Sequence, residues 1–157
     1  MIDVRIIGIG SPFGNDTLGW QVIDILKARH MLATMPYENI ELITTDRPGL
    51  NLIQMLQDAE LVILIDAICD PNRHGGVIHL TREELTVPDV ILSSHRANVA
   101  SALALADKLS QLPEKIILIG LGIDPALDAP LTETSLLALA SEIMRELEVH
   151  FIHAAAS

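Results

Sequence analysis

The order of predicted elements points to an α/β fold, a three-layer sandwich in which a mainly parallel central sheet of about five strands carries helices on both faces. Two observations support this. Short β-branched or apolar runs recur at residues 4–9, 40–44, 61–65 and 115–120, and the stretches between them place Leu, Ile, Val and Ala at helical spacing. Several of the strand runs are apolar at every position instead of alternating, which is the pattern of strands covered on both faces. Right-handed βαβ crossovers turn that alternation into a parallel sheet with helices on either side.

Element by element, residues 4–9 form a strand that glycine ends, and residues 17–29 put Val22, Ile23, Ile25 and Leu26 on roughly one helical face. Residues 40–44 form a second strand, broken at Asp46-Arg47-Pro48-Gly49, after which residues 50–56 have helical spacing. Residues 61–65 form a wholly apolar third strand that stops at Asp66. Residues 76–80 add a further strand, residues 88–94 read as loop or short extended chain, and residues 98–109 form an Ala/Leu-rich helix. Residues 115–120 make another apolar strand, and residues 132–149 form a closing helix with Thr132 and Ser135 as candidate caps. The whole chain, residues 1–157, reads as one domain, with residues 150–157 a fraying tail.

Composition narrows the function classes. Twenty-one acidic residues against ten basic ones leave a formal net charge of −11, which repels phosphate backbones and anionic lipid surfaces, so no nucleic-acid or membrane partner is expected. Cys69 is the only cysteine, so an internal disulfide or a cysteine-rich metal site cannot form, and a reducing, cytoplasmic setting fits. Asp3 and Arg5 interrupt the first apolar stretch, which therefore reads as a strand and not as a signal peptide, and no apolar run approaches the roughly 18 residues of a membrane span.

In open α/β sheets functional groups gather beyond the carboxyl ends of the strands. Three places there could carry chemistry. The loop from Gly8 to Gly19 follows the first strand and opens the first helix, but its third glycine comes one residue late for a dinucleotide fingerprint, Pro12 removes an amide, and Asp16 would repel phosphate. Asp16 can cap the helix or act chemically. Asp66, at the end of an apolar strand, needs a cation, backbone amides or a proton to offset its burial. His95, in Ser93-Ser94-His95-Arg96, is either a cap or solvent-facing residue or, if the fold brings it to the two acids, the nitrogen of a ligand set suited to nickel, zinc or a similar ion.

The nucleophile inventory leads the same way. Cys69 precedes Asp70, whose charge disfavours a thiolate, and Ser11, Ser93 and Ser94 lie in no nucleophile motif. Carboxylate, histidine and metal chemistry are left. Two other classes stay open: a Rossmann-like nucleotide- or cofactor-binding protein, and a non-catalytic nickel chaperone or docking module.

Taken in order, these segments resemble the nickel-iron hydrogenase maturation endopeptidases across nearly the whole chain. Gly8-Ile9-Gly10-Ser11 with Asn15-Asp16-Thr17-Leu18-Gly19, Asp46-Arg47-Pro48-Gly49-Leu50, Asp66-Ala67, Ser94-His95 and Gly122-Ile123-Asp124-Pro125 match the family's motifs in sequence order. Asn15 stands where the family usually has Asp, Ser11 where it usually has Asn, and Arg47-Pro48 replaces a Gly-Thr. The resemblance implies an aspartic-type, nickel-dependent endopeptidase that removes a C-terminal extension from the precursor of a [NiFe]-hydrogenase large subunit. It implies Asp16, Asp66 and His95 as catalytic and metal-binding residues, and Asp46, Arg47 and Gly49 in substrate recognition. The nickel would be supplied by the substrate, with no tightly bound metal in the resting protein.

Overall fold

The computed structural model describes residues 1–86, 97–127 and 129–157. Five strands, β1 (Ile2–Gly10), β2 (Ile40–Asp46), β3 (Ala59–Cys69), β4 (Val77–Leu80) and β5 (Ile116–Ile123), form one sheet in the order β2-β1-β3-β5-β4. All neighbours run parallel except the edge strand β4, which lies antiparallel to β5. Helices α1 (Leu18–Ala28) and α5 (Glu133–Ala155) cover one face, over Val4, Ile6, Leu61, Ile63 and Ile65. The short helices α2 (Leu52–Met55) and α3 (Arg82–Leu85) and the longer α4 (Ala97–Lys108) cover the other, over Ile7, Ile9, Val62, Leu64 and Ile68. This is the three-layer α/β arrangement that the apolar runs predict. The segment 88–94, expected as loop or extended chain, lies outside the described residues.

Two boundaries differ from expectation. β3 does not stop at Asp66 but continues to Cys69, because Asp66, Ala67, Ile68 and Cys69 keep pairing with Gly120, Leu121, Gly122 and Ile123. The closing helix does not fray after Val149. Its N-terminus is capped by Thr132, whose hydroxyl accepts from Ser135 N–H (3.1 Å), and its last turns are held by Tyr37. That ring stacks on His150 and meets Phe151 edge-on, while its hydroxyl donates to Leu147 O (2.7 Å). A short C-terminal stretch reads as a tail in one dimension; an aromatic more than a hundred residues earlier orders its first turn.

His150 makes the end of α5 sensitive to acid. Its pKa is lowered first by burial and next by Lys115, with His153 acting in the same direction and Glu60 and Glu146 opposing. In the unfolded chain the imidazole titrates near its ordinary pKa of about 6.5 and takes up a proton before the folded one does, so the linked stability is lost as pH falls below that value. Melting temperatures across pH 8 to 5 are expected to fall more for the native chain than for His150→Gln.

Candidate active site at the carboxyl edge of the sheet

Three neighbouring strands, β2, β1 and β3, bring their carboxyl ends to one edge, and the loops leaving them carry the polar residues. The first loop is made by close backbone approach. A methyl group added to Gly8 would lie 2.3 Å from Gly19 O, one on Gly10 2.6 Å from Asp16 O, and one on Gly19 2.4 Å from Ile9 O and 2.9 Å from Ile65 O. Gly8, Gly10 and Gly19 are therefore used in seating α1 against β1 and β3.

That packing presents a 3₁₀ turn, Gly14–Thr17, directly before α1. Asp16 sits in this turn and does not act as the N-cap of α1, which is Thr17 and makes no side-chain capping bond. Its backbone is tied at both ends, N–H to Phe13 O (3.0 Å) and carbonyl to Ser11 N–H (3.1 Å), and the buried Ser11 hydroxyl donates to its carboxylate Oδ2 (3.4 Å). Ser11, at the position where the family usually has Asn, thus orients the acid.

Asp66 lies deeper than a strand-end reading suggests. It is wholly buried, shares its strand face with Leu64 and Ile68, and takes a bond from Ala67 N–H to Oδ1 (3.0 Å). Its register partner on β5 is Gly120, where an added methyl would lie only 1.9 Å from Asp66 O. Glycine at 120 is what lets the β3 backbone at Asp66 come this close.

The second loop is the turn after β2. Asp46 and Arg47 pair with each other (Nε to Oδ1, 2.7 Å), and Asp46 holds the guanidinium pKa above its ordinary value. Arg47 and Gly49 both adopt positive φ, 42° and 55°. Arg47 N–H donates to Gly10 O (3.1 Å), which fixes this turn to the first loop, and the guanidinium lies 5.7 Å from the ring centre of the exposed Phe13. His95 lies outside the described residues. Among the described residues no group of three or more His, Cys, Asp or Glu side chains is placed to hold a metal ion.

Sequence reasoning passed over two further contacts at this edge. Asn15 bridges to the segment before α5, donating from Nδ2 to Ala129 O (2.9 Å) and accepting from Leu131 N–H at Oδ1 (3.0 Å). His74 Nδ1 accepts from Asp124 N–H (3.0 Å) and so holds the Gly122–Pro125 stretch. Neither has a local signature, since the partners lie 114 and 116 residues away for Asn15 and 50 residues away for His74. Asp70, by contrast, does the ordinary turn work its following proline announces, accepting from Asn72 N–H (3.1 Å) and from Arg73.

An open, mainly parallel sheet with Asp16, Asp66 and the turn after β2 toward one edge is the layout of an α/β domain whose loops beyond the strand ends can carry chemistry. The hydrogenase maturation protease family profile matches residues 21–146, four-fifths of the chain, and the chain belongs to that family. The match includes Asp66 and the position of His95; Asp16 precedes it. Among solved structures, the hydrogenase maturating endopeptidase HybD from E. coli has the same fold, with a TM-score of 0.71, 18% identity, and coverage of 95% of this chain and 94% of that one. The [NiFe] hydrogenase maturation protease HybD from Thermococcus kodakarensis gives 0.63 at 22% identity, covering 93% and 99%. HycI from Thermococcus kodakarensis gives 0.60 at 20% identity, covering 92% and 91%. A search of curated protein sequences returned no match. The chain is thus a hydrolase, a peptidase of hydrogenase maturation. Among the described residues no helix is long and apolar enough to cross a membrane.

Proposed function

We propose that this peptidase removes the C-terminal extension of a [NiFe]-hydrogenase large-subunit precursor after nickel insertion, and that Asp16, Asp66 and His95 read the client's own nickel. The observation that carries this reading is the family match, together with one carboxylate in the turn that follows β1 and one in the carboxyl-terminal half of the adjacent strand β3. Two carboxylates and an imidazole form a hard-to-borderline donor set suited to a divalent ion, with coordination positions left for the client. A carboxylate of this set takes a proton from water as it attacks the scissile carbonyl, and the proton leaves with the departing amine. Because Asp66 is buried, docking of the client has to open a path to it, which couples cleavage to correct engagement. Asp46, Arg47 and Gly49, next to this edge, are assigned to client recognition.

The test compares nickel-loaded and nickel-free precursor incubated with the protein and resolved by gel shift. Only the loaded form is expected to shorten; equal cleavage of both would overturn the nickel reading. The protein alone needs no metal for folding on this account, so a chelator should leave its melting temperature unchanged. A fall in that temperature would indicate a structural ion instead.

A further inference from the structure

A cleft of about 340 Å³ opens beside the turn that carries Asp16, and its walls include Gly14, Asn15, Thr17, Gln21, Pro130 and Leu131. One wall is the 3₁₀ turn and the first turns of α1; the other is the segment leading into α5. These walls are 114 to 116 residues apart in sequence, and the Asn15 carboxamide joins them through its two bonds, one donated and one accepted. An aspartate cannot make this pair: one oxygen could still accept from Leu131 N–H, but the other would face Ala129 O with no proton between them. The replacement of the family's usual Asp by Asn at this position therefore has a structural consequence, a fixed second wall next to a proposed catalytic acid.

The described residues lining the cleft carry no charged side chain, and they mix apolar surface from Leu131 and Pro130 with the amide and hydroxyl of Gln21 and Thr17, one helical turn apart. That combination suits an extended, uncharged peptide, whose main chain needs hydrogen-bonding partners and whose side chains need apolar contact. We propose that this cleft is a peptide subsite, taking the client's chain on one side of the scissile bond, and that Asn15 is a positioning residue holding its outer wall. The inference rests on the reading given under Proposed function. Position argues the occupant: Asn15, in the cleft wall, and Asp16 are consecutive in one turn, so the cleft lies beside the proposed catalytic acid and on the side where a chain held there would run.

The experiment measures steady-state cleavage of the nickel-loaded large-subunit precursor by full-length protein. Gln21→Trp fills the cleft from an exposed helix position and leaves the Asn15 bonds in place. It is expected to raise KM about tenfold with kcat within about twofold, the pattern of lost ground-state binding. Asn15→Asp should show the same split. If the native chain cleaves the precursor and Gln21→Trp keeps the native KM, the subsite is overturned while the proposed function stands. A loss of kcat and melting temperature in Asn15→Asp at native KM would make Asn15 structural only and overturn its positioning role. Failure of the native chain to cleave the loaded precursor would overturn both readings together.

Discussion

Replacing Asp66 by Asn is expected to reduce precursor processing at least about a thousandfold, a loss of about 4 kcal/mol in transition-state stabilisation, with the fold retained. The substitution keeps shape and the oxygen that accepts from Ala67 N–H, and removes the charge on which the proposed nickel contact and proton transfer depend. Asp16→Asn and His95→Ala are expected to be as inactive. Asp66 sits in the core and not outside it as a strand-end residue would, so the isosteric change is the informative one, and Asp66→Ala would add a cavity to the loss of charge. Cys69→Ala should retain activity. The readout is the gel shift of the loaded precursor with circular dichroism on each variant; an inactive Cys69 variant beside a fully active Asp66→Asn would replace the carboxylate mechanism with a thiol one.

The largest expected effect on stability is at a residue with no chemistry. Gly120→Ala places a methyl 1.9 Å from the backbone carbonyl of Asp66 and 3.2 Å from Ile68 Cδ1. The carbonyl belongs to the central strand β3, which is paired on both sides and cannot step away without breaking its ladder. Overpacking against backbone is expected to cost about 3 kcal/mol or more, a fall of roughly 9 °C in melting temperature for a chain of this size. Any of the variant that folds should also process precursor poorly, since the displaced carbonyl is that of the proposed catalytic acid. A thermal melt with native midpoint would refute the close approach. The contrast with Gly49 is instructive, because its added methyl meets nothing within 4 Å and only its positive φ opposes substitution.

The amino-acid sequence by itself determined the order of strands and helices and the identity of the candidate acids. Those properties are local: an apolar run such as Leu61–Ile65 states its own burial, and Asp16 and Asp66 stand out because charge follows such runs at predicted strand ends. Tertiary structure decided how deep each acid sits and what holds it. Asp66 is interior because β5 offers glycine at 120 and continues the pairing to Cys69, a fact written fifty-four positions away from the acid. Likewise α5 persists to Ala155 because Tyr37 lies against it, and the cleft beside Asp16 has a second wall because Asn15 reaches residues 129 and 131. Contacts between distant segments become defined only when folding has met the entropic cost of bringing them together, and nothing in the local pattern of either segment records the partner it will meet.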